Sequence, residues 1–180
     1  MTGAARSRVK DRYDGVAIAF HWTIAALVVL NLVSGLLYRP LFFTHKAVGI
    51  TVLVLSIGRL LWRLTHRAPP PPADLPRWQQ IVARGTHYAF YLLILALPIT
   101  GWVMSSATDK RRPLTWFGLF DIPYLPLAPG PVGDTAYDAH GLLGWLMLAL
   151  LALHVGAALR HHFVLRDRVL SRMLPGPGAR

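Results

Sequence analysis

The sequence predicts an all-α protein, a four-helix transmembrane bundle with both termini on the cytoplasmic side. Three observations predict it. The 180 residues are 54% hydrophobic and only 15% charged, with a mean hydropathy of +0.42, too apolar for a small soluble globule. Three charge-free runs, Val16 to Tyr38, Thr86 to Ala107 and Ala139 to Leu159, each reach the length of about 20 residues that a bilayer span needs. The 19 Lys and Arg, against 8 Asp and Glu, crowd into tails and loops, where a net charge of +11 sets membrane topology rather than marking a nucleic-acid-binding surface. The length fits one domain covering residues 1–180.

The first span, about 16–38, follows Arg6, Arg8, Lys10 and Arg12. It resembles a signal peptide in that flank only. It is longer than the apolar region of such a peptide, contains His21 and Trp22, and lacks a small-residue cleavage site, so it is read as a retained helix. The second span, about 42–64, is apolar from Ala47 to Gly58 and carries Lys46 near one end and Arg59 and Arg63 near the other. Long cationic side chains near helix ends reach back to the interface, which makes the span acceptable.

Pro69 to Pro72 and Pro76 form a stiff polyproline-type spacer to the third span, about 86–107. Pro98 lies inside that span, where neighbouring helices can satisfy the carbonyl it frees. The connector from Ser105 to Asp138 is apolar and aromatic over Leu114 to Leu127 and is expected to cap the membrane surface. The fourth span, about 139–162, completes the bundle. The N-terminal tail, the stretch Arg59 to Arg84 and the segment from Arg160 onward hold fourteen Lys or Arg, whereas the opposite side has five: Arg39, Lys46, Lys110, Arg111 and Arg112. The excess places both termini in the cytoplasm.

The chain has no Cys, which removes disulfides, thiolate metal sites, iron–sulfur clusters, thiol catalysis and covalent c-type haem attachment together. It also has no Walker loop, GxGxxG or GxSxG motif. Histidine remains for metal chemistry. Five of the eight lie inside or at the edges of spans: His21, His45, His87, His140 and His154. An ionisable group at membrane depth marks a functional site by default, although a single one is more often a packed, hydrogen-bonded residue.

Depth organises these five. His140 and His154 are fourteen residues apart, about 21 Å along a helix and within about 40° of one face. The same interval joins His21 to Gly35, His45 to Arg59 and His87 to Gly101. Each helix thus carries a special residue at two levels, with Gly, including Gly49, leaving room for a flat macrocycle. His45 and His140 both begin their spans on the outer side and can share an outer iron. His21 and His154 lie towards the inner side and can share an inner iron, with His87 a competitor for His154. Two bis-histidine haem sites follow. Zinc prefers about four ligands in one tetrahedral site, whereas only two imidazoles are expected to converge at each level.

At this point the chain resembles the bacterial cytochrome b561 proteins, four-helix membrane cytochromes with two b-type haems. The resemblance is carried by Ala19-Phe20-His21-Trp22, by His45 with Gly49, by Arg59-Leu60-Leu61-Trp62-Arg63-Leu64, by His87 ahead of Ala96-Leu97-Pro98 and Gly101, and by His140, His154 and His161-His162-Phe163. It covers about Tyr13 to Pro175. It implies haem ligation by His21, His45, His140 and His154 and electron exchange with membrane quinone. Some members resemble superoxide oxidases, which take an electron from superoxide at the outer face and reduce ubiquinone. Related four-helix subunits anchor hydrogenases or formate dehydrogenases, so a soluble redox partner is the alternative.

The remaining polar residues are weighed against plain roles. His161 belongs either to a solvated juxtamembrane tail or, with Arg160 and His87, to a site for a quinone carbonyl. Arg59 either reaches back to the interface or meets a haem propionate. His66 receives no role. The expectation is a dihaem b-type cytochrome of the bacterial inner membrane that passes electrons to ubiquinone.

Overall fold

The computed structural model describes residues 12–37, 42–66, 68–70 and 75–175. Arg6, Arg8, Lys10, Tyr38, Arg39, Arg67, Pro71, Pro72 and Arg180, which enter the expectations above, lie outside those residues. Four long helices follow one another: α1 (Gly15–Leu32), continued by a π-helical turn (Val33–Leu37), α2 (Phe42–Thr65), α3 (Arg77–Ser106) and α4 (Pro131–Arg160), continued by a second π-helical turn (His161–Leu165). All four are long and apolar enough to cross a membrane. A small antiparallel hairpin, β1 (Thr115–Trp116) and β2 (Phe120–Asp121), pairs Thr115 with Asp121 and Trp116 with Phe120 between α3 and α4.

Local chemistry sets the helix ends. The Asp14 carboxylate accepts from the Ala17 N–H at 2.8 Å and from the Trp62 indole at 3.2 Å. One side chain therefore caps α1 and ties it to α2. Burial pushes the Asp14 carboxyl up, but these donors outweigh it and hold it below its ordinary value. Helix α3 starts at Arg77, nine residues before the expected 86, and α4 at Pro131, eight before the expected 139. A charge-free run marks the hydrocarbon layer, whereas a helix can begin in the polar interface. Pro131 occupies the helix start that proline favours, and Asp134 in that first turn suits the positive end of the dipole. Helix α3 continues through Pro98 without interruption.

Successive helices pack on one another, α3 and α4 most extensively. The centre holds Leu93, Ile94 and Met147, with Met147 only 1% exposed. Many large apolar side chains point outwards, among them Leu92, Leu142 and Leu153, as lipid-facing helices require. Gly133 is needed where α4 meets the end of α3, because a Cβ there would run into the Ala107 carbonyl oxygen.

The connector after α3 folds against the helices. The Trp102 indole donates to the Pro123 carbonyl at 2.9 Å, and Leu125 N–H donates to Ser106 Oγ at 3.0 Å. Trp116 donates to Thr51 of α2 at 3.0 Å, while Lys46 Nζ donates to the carbonyls of Arg112 (3.4 Å) and Pro113 (3.3 Å). Its own Leu114 and Ile122 are buried. At the opposite end the chain beyond α4 returns across α1: the Trp22 indole donates to Met173 O at 2.7 Å, Arg12 donates to Leu174 O, and Arg172 donates to Pro70 O at 2.8 Å.

Candidate functional site

The histidines within the helices gather at two levels. At the hairpin end, His45 of α2 faces His140 of α4, with ring centres 6.0 Å apart and planes 82° apart. At the other end, His154 of α4 faces His21 of α1 at 6.4 Å and His87 of α3 at 6.1 Å. Phe90 packs on the same His154 ring at 5.2 Å. An imidazole nitrogen sits about 2 Å from a bound first-row metal ion. Adding about 1 Å from nitrogen to ring centre on each side gives a spacing of about 6 Å for two imidazoles sharing one ion. All three pairs have that spacing.

The two levels differ in what holds the rings. His45 Nδ1 lies 3.0 Å from the Asn31 carbonyl and 3.2 Å from Ser34 Oγ. His140 Nδ1 lies 3.0 Å from the Leu97 carbonyl and 3.1 Å from Thr100 Oγ1. A carbonyl only accepts, so each Nδ1 carries the proton and each Nε2 keeps its lone pair for a metal. At the other level, His21 Nδ1 faces Arg59 Nη1 at 3.5 Å. A guanidinium only donates, so this His21 proton sits on Nε2, the reverse tautomer. Arg59 also lies over the Tyr91 ring, 5.8 Å from its centre, and is half-buried within the bundle.

Glycine makes the outer arrangement fit. A Cβ on Gly35 would lie 2.8 Å from His45 Cε1, and one on Gly101 3.2 Å from His140 Cε1. Each glycine therefore makes room for an imidazole, a closer neighbour than the macrocycle expected from spacing alone. Gly49 gives room to Asn31. With its amide oriented to suit those neighbours, Asn31 donates to His45 O and accepts from Gly49 N–H, both at 3.1 Å. A cavity of about 730 Å³ opens beside the outer pair, lined by His45, His140, Gly35, Gly101, Lys46 and Arg112 among others. That volume lies within the range of about 300–1,000 Å³ typical of cofactor pockets. Two opposed imidazoles protonated at Nδ1, a gap of bonding width and a glycine-lined cavity fit a flat metal macrocycle held from both faces.

Asn31, Ser34 and Thr100 were missed by the reading of histidines alone. Their signal was present, since each is a polar residue inside a charge-free span. Arg160 and His162 are exposed and His161 is half-buried at the end of α4, beyond His154. His21 and His87 both face His154, yet among the described residues no group of three His, Asp or Glu is placed to hold one metal ion together.

Four membrane-spanning helices with imidazoles opposed at two depths define a multi-pass membrane electron-transfer protein. The chain belongs to the prokaryotic cytochrome b561 family, whose model matches residues 12–176, and the cofactor class of that family is b-type haem. It is similar to cytochrome b561 homolog 2 of Escherichia coli, with 34% identity over 91% of this chain and 92% of that protein. It is also similar to the probable superoxide oxidase CybB of Yersinia pestis, with 34% identity over 91% and 96%. Cytochrome b562 of Cereibacter sphaeroides is 27% identical over 90% and 94%.

Proposed function

We propose that the chain carries electrons through the bacterial inner membrane between two b-type haems, one held by His45 and His140 and the other by His21 and His154, and delivers them to ubiquinone. The observation that carries this reading is the outer pair, two imidazoles 6.0 Å apart with each Nδ1 anchored on a main-chain carbonyl. Bound haem supplies the one-electron redox chemistry. The protein fixes ring orientation and spacing. At the inner level His21 and His154 would hold the haem, and Arg59, 3.5 Å from His21 Nδ1, would supply a cation for a propionate. The basic excess at the terminal side supports a reading with both ends in the cytoplasm.

Superoxide is the proposed donor. The probable superoxide oxidase relative supports it, as do Lys46, Lys110 and Arg112 lining the outer cavity, where cations attract a small anion. His87, Arg160 and His161 are the proposed quinone contacts at the inner end. The test is an optical spectrum of the purified protein, oxidised and reduced, with haem extracted and counted. Two low-spin b-type haems per chain are expected, both removed by acidified acetone because no Cys can hold them. A single haem, or a colourless protein loaded with zinc, would defeat the reading.

A further inference from the structure

We propose that Asp167 is the positioning residue for His161, and that His161 so held donates a proton to the quinone reduced at the inner end of the bundle; this rests on the quinone reading above.

The chain beyond α4 is built to make this contact. The π-helical turn His161–Leu165 ends at Arg166 in the left-handed conformation, with φ 53° and ψ 35°. That residue reverses the chain, and the Asp167 N–H then donates to the His161 carbonyl at 3.1 Å. The side chains meet in the same turn: Asp167 Oδ2 lies 2.5 Å from His161 Nδ1. The second carboxylate oxygen is fixed by the Val169 N–H at 3.0 Å. Burial pushes the Asp167 carboxyl up, but the bonds from His161 and Val169 prevail and hold it below its ordinary value. An acid held in this way is a carboxylate at neutral pH and can only accept, so Nδ1 carries a proton towards it and Nε2 becomes the exchanging position.

Placement gives the pair its use. His161 is seven residues beyond His154, about 10.5 Å along the helix and within about 20° of the same face. Its side chain is 14% exposed, whereas that of Asp167 is 33% exposed, so the pair runs from the bundle end towards water. Reduction of a quinone to a quinol takes two electrons and two protons. The electrons come singly from a one-electron donor such as superoxide, two of which are oxidised to two dioxygen molecules. At one quinone oxygen an O–H bond forms as the Nε2–H bond of His161 breaks, and the ring regains a proton from water. The other oxygen takes its proton from water directly.

The test uses the haem-loaded, pre-reduced protein mixed with a short-chain ubiquinone in a stopped-flow instrument, in H2O and in D2O. Wild type should reoxidise with a solvent isotope effect. Asp167→Asn should keep the haem spectrum and the half-saturating quinone concentration while its maximal rate falls by about a hundredfold, as for loss of general acid catalysis. Asp167→Glu should recover part of that loss. An unchanged maximal rate in Asp167→Asn, a change confined to half-saturation, or loss of haem from that variant would each overturn the role of Asp167. Failure of wild type to reoxidise with quinone would instead overturn the quinone reading itself, and the role of Asp167 with it.

Discussion

His45 and Gly35 meet face to backbone: a methyl group on Gly35 would stand 2.8 Å from His45 Cε1, inside any real carbon contact. The ring and the glycine belong to different helices, and the position of one sets what the other may be. Gly35→Ala is therefore expected to turn the His45 ring out of line and remove one haem while the other stays. Gly101→Ala, with 3.2 Å to His140, should weaken the same haem less. Extracted haem per chain, compared with wild type, is the measurement; full haem content in Gly35→Ala would show that α1 yields easily at this point.

Single histidine replacements should sort into two groups. His45→Ala and His140→Ala are expected to lose the same part of the reduced spectrum, and His21→Ala and His154→Ala the other part. His87 is as near to His154 as His21 is, so it needs its own variant. If His87→Ala matches His154→Ala while His21→Ala keeps both haems, the inner pair is His87 with His154.

Arg59 faces the inner level from α2. A unit charge about 10 Å from an iron, in an effective dielectric near 20, shifts a potential by on the order of 70 mV. Arg59→Leu should accordingly lower the inner haem's potential by about that amount and leave the outer one in place, because a nearby cation favours the added electron. A redox titration resolves the two. No change in either potential would mean that the guanidinium serves only His21 and Tyr91.

Superoxide-driven haem reduction should be fast and should slow as salt rises, since steering is screened over about 10 Å at 0.1 M. Lys46 holds the carbonyls of Arg112 and Pro113, and replacing it would also loosen the connector. Lys110→Gln with Arg112→Gln is the cleaner pair: a marked drop in rate with both haems retained is expected. A rate indifferent to both salt and substitution would favour a soluble partner docking at that end.

Asp14 offers a test of stability. Its carboxyl is held below its ordinary value, so the folded state binds a proton less readily than the unfolded one. Its contribution is present above about pH 4 and is lost as pH falls through the lowered value. Asp14→Ala, which removes the cap and the tie to Trp62, should cost about 1 kcal/mol at neutral pH and flatten the acid limb of thermal stability. An acid limb identical to wild type would assign that limb to other carboxylates.

Much of this arrangement was legible from residue types and spacing. Four spans, and imidazoles at two depths, follow from apolar length and helical pitch, because a bilayer permits few other solutions. The starts at Arg77 and Pro131 were not legible from charge-free runs, since helix and hydrocarbon layer have different edges. Nor were the acceptors on the rings: the carbonyls of Asn31 and Leu97 belong to the main chain, and no residue type announces which carbonyl will face an imidazole. The reversal that seats Asp167 on His161 depends on a left-handed Arg166, a conformation arginine seldom advertises.

Helix α4 carries His140, Met147 and His154 at successive intervals of seven, with the methionine sealed between the two levels. One rigid rod thus serves as a ruler for both imidazoles. Its gradations are coarse: adding or removing a single residue between positions 140 and 154 swings one ring by about 100°, off the bundle axis altogether. Point substitution can tune the surroundings of either level, but the separation of the two imidazoles is inherited from the pitch of this helix, and changes of it that keep both rings on one face come only in steps close to a whole turn, about 5.4 Å each.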